Sequence, residues 1–523
     1  MRLQNGMRTR DCDGHARMPQ PTAGQAELIR RLADPACYDH RAGPVRVIET
    51  HISYVLLTGE FAYKIKKPLN LGFLDFSTLS ERLHACCDEV RLNQRLAPDI
   101  YLDVVPINGT PSAPCVNGPG ETLEYAVKMR QFPPDATLDR LDERGRLTAT
   151  QVEAVASTVA RFHLQESAHA PEDRSWGSPE TIGRSVAQNF QQIAPRLTDP
   201  ADIERLAVLR RWSESEHTRL SPLMTARKRD GFVRECHGDL HLGNLAWFDD
   251  RLLVFDCLEF DPELRWIDVQ SEVAFCYMDL VHRGHAGWAW LFLNRWLEKT
   301  GDYAGLALLR FYAVYRALVR VKVAVLRAEQ TRGSEHTAAL AGARALLHLA
   351  GALMRVPPAR LEITHGLSGC GKTTATEKMM QTAGAIRLRA DIERKRLAGL
   401  DAMARSGSGT GQRLYTDDAT RRTYSRLAEL AETLLDTGWP VIVDATFIAR
   451  RQRDLLREVA RARDAEFRIY DFPVAVAVLR ERILQRMRAA NDASEADLDV
   501  LQRQLETEEP LSMEERSQVT TVV

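Results

Sequence analysis

The chain lacks the features that mark several large classes of protein. Its 523 residues carry 70 Lys plus Arg against 71 Asp plus Glu, a formal net charge of -1. No excess of one sign points to a membrane surface or a nucleic acid. The balance persists from residue 361 to the end, so long nucleic acid is not expected as a partner. The nine cysteines form no C-x-x-C pair, no metal-like spacing and no regular framework, and Cys86 and Cys87 are adjacent. That loop is too short for an ordinary structural disulfide, and the usage fits a reducing cytoplasm. The first 18 residues lack the apolar core of a secretory signal. The nearest approach to a membrane span, "TAALAGARALLHLAGAL" at 338–354, is short and carries Arg344 and His348. A buried helix is expected there, with no membrane partner.

What is present is an apolar content of 44% and a charged content of 27%, in a chain long enough for two or three globular domains. The most specific signal is "GLSGCGKTT", which follows the apolar strand pattern "LEITHG" and precedes a helical pattern at 374–382. From Gly366 to Thr373 it reads G-x-x-x-x-G-K-[ST]. The backbone of Gly366, Leu367, Ser368, Gly369, Cys370 and Gly371 is expected to face phosphates, with Lys372 reaching the β/γ oxygens of ATP. The Thr373 hydroxyl, followed by Thr374, is placed to ligate Mg²⁺ at a helix N-terminus. Beyond it strands and helices alternate: "AIRLRAD" ends on Asp391, "WPVIVDAT" carries Asp444, and "EFRIYDF" and "VTTVV" follow. This predicts a three-layer parallel sheet with its site at the strand C-termini.

A second motif is "HGDLHLGN" at 237–244. Its histidines would share a face for zinc only on a helix, which Gly238 and Gly243 disfavour. Downstream, apolar runs at 245–248 and 252–255 flank Asp249, Asp250 and Arg251, a hairpin signature that delivers Asp256. Loop, Asp239, Asn244, hairpin, Asp256 is the order of phosphotransfer parts in protein-kinase-like folds. There one aspartate accepts the substrate hydroxyl's proton, and the asparagine and the second aspartate hold Mg²⁺. Upstream, 45–57 reads as extended, "TGE" as a turn, "FAYKIKKP" as a returning strand and 79–97 as a helix carrying Glu89. This is the layout of a kinase small lobe, in which a strand lysine contacts nucleotide phosphates. Lys64 and Lys66 point the same way on a strand; Lys64 is favoured, and an edge strand with solvated lysines is the alternative. A further strand is expected at 121–132 and mostly helix from 149 to 350. The basic side of a long helix at 306–330, with Arg316, Arg320 and Lys322, reads as a solvated or ion-paired face.

Pro357 and Pro358 break the helical pattern. The expected organisation is a disordered extension at 1–34, a kinase-like α+β domain with a large helical lobe at 35–350, a linker at 351–360 and a P-loop α/β domain at 361–523. Sites in separate domains should contribute nearly additively.

Residues 35–345 resemble the aminoglycoside phosphotransferase family through "HGDLHLGN" and "VFDCLEF". Residues 361–523 resemble small P-loop kinases such as gluconate and shikimate kinases, zeta toxins and polynucleotide kinase. The pair resembles a bacterial family described as bifunctional aminoglycoside phosphotransferase/ATP-binding proteins, to which "ETHISYVLLTGEFAYKIKKPLNLGFLDF" and "DATF" also point. The resemblance implies Asp239 as base, Asn244 and Asp256 as Mg²⁺ ligands, Lys64 with Glu89 as a phosphate clamp, and a structural His237. In the P-loop half it implies that Asp391 takes an acceptor proton in a D-x-x-R motif with Arg394. It further implies Arg482 and Arg486 as lid arginines, four apart on one helical side; two solvated arginines are the alternative. The small lobe departs from the protein-kinase pattern in having no G-x-G-x-x-G loop, and Cys257 and Leu258 follow Asp256. No acidic set for a polycationic antibiotic is evident, so resistance does not follow from the fold. The implied activity is transfer of phosphate from ATP, with Mg²⁺, to hydroxyls of small polar molecules at two centres. The alternatives are a nucleotide-sensing N-terminal half that regulates a P-loop ATPase or kinase, and a P-loop half acting on nucleotide-sized acceptors.

Overall fold

The computed structural model describes residues 23–70, 74–401, 416–489 and 497–522. The chain divides into two compact units, Met1–Pro134 with Leu253–Leu264, and Asp135–Leu252 with Arg265–Val523.

The first unit is built on a six-stranded antiparallel sheet. Its order is Arg46–Glu49, Ser53–Leu57, Phe61–Lys66, Thr122–Arg130, Tyr101–Thr110 and Ala113–Val116. Strand alternation sorts the side chains: Tyr54 and Leu56 with Tyr63 and Ile65 enter one core, which leaves Lys64 and Lys66 on the opposite face. Gly59, at φ 102°, closes the turn between their two strands. Helix Leu79–Gln94 begins where the Thr78 side chain accepts the Glu81 amide, the N-cap that a helix start needs.

Two expectations change here. The stretch 45–57 is two strands with a turn between them, because Thr50 and Ser53 bond across it. The expected disordered extension at 1–34 does not hold for residues 23–34. A helix spans Ala23–Arg31, and Leu28, Ile29 and Leu32 lie on the sheet core. Their i, i+1, i+4 spacing makes one apolar stripe.

The second unit holds the helical lobe and the parallel sheet. Helices Leu306–Gln330 and Gly333–Leu353 follow one another; the latter buries only Ala343, Leu346, Leu347 and Ala350. Among the described residues no helix is long and apolar enough to cross a membrane. The sheet runs Ile386–Arg389, Val441–Asp444, Arg360–His365, Glu466–Asp471 and Val519–Thr521, all parallel. Leu291 of helix Ala286–Thr300 shares an apolar cluster with Met380, Ala385 and Ile442. The helical lobe and the P-loop fold are therefore one compact unit on both sides of Pro357 and Pro358, and additivity between their sites loses its physical basis.

Candidate active sites

In the first unit, Lys64 and Lys66 both reach Glu89 of helix Leu79–Gln94. Lys64 Nζ lies 2.8 Å from Glu89 Oε1 and 2.5 Å from Asp256 Oδ1. Lys66 is fully buried and pairs with Glu89 and Glu259. Burial opposes both ammonium charges, but Asp256, Glu89 and Glu259 outweigh it for Lys64, and Glu259 and Glu89 for Lys66. Both lysines stay protonated. Asp256 lies two residues past the strand Arg251–Val254, at φ 64°, and its amide donates to the Tyr101 hydroxyl. A non-glycine residue in left-handed backbone costs energy and persists where its surroundings hold it. Asp249 and Asp250 both have positive φ, the two-residue turn that suits a hairpin.

In the second unit, the 237–244 loop is not a zinc helix. Asn244 Nδ2 donates to the Asp239 carbonyl at 2.9 Å and to its Oδ2 at 3.0 Å. His241 Nδ1 accepts the Gly243 amide, so its Nε2 carries the proton toward Asp239 Oδ2, 3.4 Å away. Burial raises the Asp239 pKa, but His241, His237 and Arg320 together hold it well below the carboxylate range. It is an anion at neutral pH.

Residues that the motif reading missed hold this loop. Glu272 Oε1 accepts the His237 and Gly238 amides at 2.6 and 2.9 Å, and Asp279 Oδ2 accepts the Leu242 amide at 3.0 Å. Both acids lie on helix Val269–His282, seven apart and so on one side. Glu272 also faces His163 Nε2 at 2.7 Å. Burial raises its pKa, and His163, His237 and the loop amide bring it down to about 2. Arg316 corrects the expectation of a solvated or ion-paired face. It is buried and donates to the Gly238 and Ser271 carbonyls.

The P-loop follows strand Arg360–His365. Gly366, Gly369 and Gly371 have φ of 146°, 87° and 98°, and a Cβ on Gly366 would lie 2.9 Å from Cys370 Sγ. Only glycine fits there. Lys372 Nζ donates to the Gly366 and Leu367 carbonyls, both at 2.9 Å, and its side chain is buried. A cavity of about 400 Å³ is lined by Ser368, Gly369, Gly371, Lys372, Thr373 and Thr374, and also by Asp391, Arg394, Asp444 and Arg482. Leu367 and Cys370 turn instead into an apolar cluster with Phe472, Leu479 and Ile483.

Asp391 is not a strand tip. The strand ends at Arg389, and Asp391 sits in the first turn of helix Ala390–Leu397, with Oδ1 3.0 Å from Arg394 Nη1. Arg482 Nη1 reaches the Gly369 carbonyl at 3.5 Å. Arg486 lies on the same helix, Val476–Ala489, but its side chain is outside the described residues. The cavity also takes in Arg389, Arg451, Arg503 and Tyr424; no short motif carries these, since they come from four separate elements.

Both halves of the chain have known relatives. Residues 124–309 match the model of the phosphotransferase enzyme family, and residues 361–511 match that of an AAA domain. An uncharacterised protein of Mycobacterium tuberculosis (strain H37Rv) is 30% identical over 458 residues, covering 86% of this chain and 88% of its own length. Among solved structures, a choline/ethanolamine kinase family protein from Mesorhizobium loti is 10% identical. It covers 64% of this chain and 95% of its own, with a TM-score of 0.41. A sugar kinase from Janibacter sp. HTCC2649 is 23% identical, covering 32% and 85%, with a TM-score of 0.25. With a phosphotransferase match, a P-loop match behind it, and a relative aligned through both, the chain belongs to the family that fuses an aminoglycoside phosphotransferase-like domain to a C-terminal P-loop kinase-like domain.

Proposed function

We propose that the protein is an ATP- and Mg²⁺-dependent phosphotransferase with two nucleotide-binding centres, in residues 35–350 and 361–523. Each transfers the ATP γ-phosphate to a hydroxyl of a small polar molecule. The observation that carries the reading is the P-loop cavity. It gathers the P-loop lysine and the Asp391–Arg394 pair around one space of about 400 Å³. Glycines whose φ and crowding admit no side chain leave backbone amides free to approach phosphates. Bound Mg²⁺ would neutralise phosphate charge, which is most of what phosphoryl transfer asks of a protein. Thr373 would hold it here, and Asn244 and Asp256 in the N-terminal half.

The remaining roles belong to the chain's own groups. Lys372 exchanges its bonds to the Gly366 and Leu367 carbonyls for phosphate oxygens, and Gly369 and Arg482 close the nucleotide side. Asp391 receives the acceptor's proton, and Arg394, 3.0 Å from its Oδ1, orients that carboxylate. In the N-terminal half, Lys64 positions phosphate and Glu89 orients Lys64. Lys66, sealed between Glu89 and Glu259, acts on the fold. Asp239 receives the second acceptor's proton, held by Asn244 and by His241.

The test is ATP consumption by the full chain across a library of polar metabolites, repeated with Asp239→Asn and with Asp391→Asn. Each substitution should lower one activity by about 10² or more, the usual range for loss of a positioned base, and leave nucleotide binding intact by calorimetry. Turnover with any acceptor that survives both substitutions undiminished would sink the assignment of bases. A steep loss of background hydrolysis in Asp391→Asn would make that aspartate serve water or the metal, and the P-loop half an ATPase.

A further inference from the structure

Helix Ala286–Thr300 touches the supports of both motifs in the second unit. On one side, Trp296 Nε1 donates to His163 Nδ1 at 3.2 Å, and His163 Nε2 meets Glu272 Oε2 at 2.7 Å. Because Nδ1 accepts from the indole, Nε2 is the nitrogen that carries a proton toward the carboxylate. The other oxygen of Glu272 takes the His237 and Gly238 amides, immediately before Asp239. His163, Cys236 and Glu272 offer ligand atoms within 4.8 Å of one another. Both imidazole nitrogens and both carboxylate oxygens are already engaged, so the cluster is a hydrogen-bond relay and not a metal cage.

On the other side, Asn294 accepts the Arg387 amide at 2.7 Å and donates to the Ala385 carbonyl at 3.0 Å. Glu298, four residues on and so on the same side, pairs with Arg387 Nη2 at 2.7 Å. Arg387 is fully buried, and its Nη1 donates to the carbonyl of Thr373 at 3.1 Å. Arg389 bridges the same carboxylate and Asp444, 3.9 Å from Glu298 and 4.0 Å from Asp444. Arg295 adds a 2.5 Å pair to Glu377 on the helix that the P-loop opens. Glu298 is thus a counter-ion shared by two buried arginines at the floor of the P-loop site, with Glu377 as a second, longer partner of Arg387 at 3.7 Å. Burial raises the Glu298 pKa, and Arg387, Arg389 and Arg295 more than reverse this.

We propose that helix Ala286–Thr300 couples the two centres. Nucleotide at the P-loop draws on Thr373 and Asp444, the load passes through Arg387 and Arg389 to Glu298, and Trp296, His163 and Glu272 deliver it to the backbone beside Asp239. Trp296, Glu298 and Arg387 are positioning residues: they act through others and touch no substrate. The inference rests on the P-loop reading above. Coupling of this kind is reciprocal in binding free energy, so occupancy of the N-terminal centre tightens or loosens nucleotide at the P-loop by the same factor.

The test is amide hydrogen exchange over residues 237–242 in the full chain carrying Lys64→Ala, so that added Mg·ATP loads the P-loop centre. Calorimetry on the same chain reports binding. Loading should change exchange of those amides by about fivefold, the lower end of ordinary allosteric coupling. Adding Trp296→Phe, which keeps a ring but removes the N–H to His163, should abolish the change while nucleotide affinity stays within about twofold. A merely structural tryptophan would alter exchange equally with and without nucleotide. If Trp296→Phe does not fold, Glu298→Gln cuts the same chain at its other end and should give the same loss. Binding with no change over 237–242, or a change that persists in the cut chain, overturns the coupling alone. No binding at all in the Lys64→Ala chain overturns the P-loop reading, and the coupling with it.

Discussion

Glu272→Gln isolates the carboxylate that holds the 237–242 loop. In the native protein the charge accepts two backbone amides and faces His163. Its pKa of about 2, against an ordinary 4.5, corresponds to about 3 kcal/mol of stabilisation of the ionised form. That agrees with the roughly 3–5 kcal/mol lost when one member of a buried pair is removed. Glutamine keeps the shape but offers one acceptor oxygen and turns an N–H₂ toward donors. The variant should therefore be less stable by about 3 kcal/mol at neutral pH. The sign of the pH dependence follows from the depressed pKa: the contribution is complete above pH 4.5 and disappears as pH falls toward 2. Urea titrations of both proteins at pH 7, 4.5, 3.5 and 2.5 should show their stabilities converging across that window. A gap that stays constant from pH 7 to 2.5, or one below about 1 kcal/mol at pH 7, would refute the ionised clip. Phosphotransfer by the N-terminal centre should fall with it, since a displacement of about 1 Å in a reacting group can cost about 10² in rate.

Lys64 and Lys66 should separate in kind. Lys64→Ala removes the ammonium that pairs with the half-exposed Asp256 and should raise KM for ATP at the N-terminal centre with little change in folding, since Glu89 keeps its pair with Lys66. Lys66→Ala leaves Glu89 and Glu259 buried without their shared cation and should cost about 3–5 kcal/mol in urea unfolding; the reverse pattern would exchange their roles. Gly366→Ala puts a methyl 2.9 Å from Cys370 Sγ at a φ of 146°. ATP binding by the P-loop centre should drop below detection in calorimetry while the N-terminal centre still binds, and unchanged affinity would show that the loop is not the cradle.

The phosphate loop was readable because everything it needs lies within eight consecutive residues, and Asp239 with Asn244 because a five-residue spacing carries both. The supports of those motifs lie elsewhere in the chain. Glu272 is 33 residues beyond Asp239, yet it left a trace: "VQSEVAFCYMDLVH" is an apolar helix interrupted by two acids seven apart. Acids on one side of an otherwise buried helix need donors, and a nearby loop with unpaired amides supplies them. Residues 23–34 do not stand out as a helix in the sequence because the polar start of the chain outweighs the short stripe of Leu28, Ile29 and Leu32. "AIRLRAD" reads as a strand ending on Asp391 because its alternating pattern runs up to that residue; the helix begins one residue earlier, at Ala390.

The strand Ile386–Arg389 shows what such anomalies are worth. All four residues are buried, and a parallel strand covered on both faces ordinarily reads as an unbroken apolar run. "IRLR" breaks that rule twice. A buried guanidinium without a carboxylate is too costly to persist, so the sequence alone demands a counter-ion for Arg387. Its ion pairs are with neither Asp444 at the end of the neighbouring strand nor Asp391 in the helix that follows. Asp391 pairs with Arg394, and Asp444 lies 4.0 Å from Arg389. The shorter pair is to Glu298, 2.7 Å away, 89 residues earlier and in the other family's domain, while Glu377 of the P-loop helix lies 3.7 Å from Nη1. Charged residues in this strand therefore report that the P-loop fold is completed by the helical lobe. A P-loop half cut away at residue 361 should accordingly lose stability by about 3–5 kcal/mol relative to the same half in the full chain, as measured by urea unfolding. Arg387→Met in the cut chain should recover much of that loss, because it replaces a buried charge left with only the 3.7 Å pair to Glu377 by an apolar side chain of similar length. A cut chain as stable as the whole, with no gain from Arg387→Met, would show that Glu298 does not carry the charge balance of this strand.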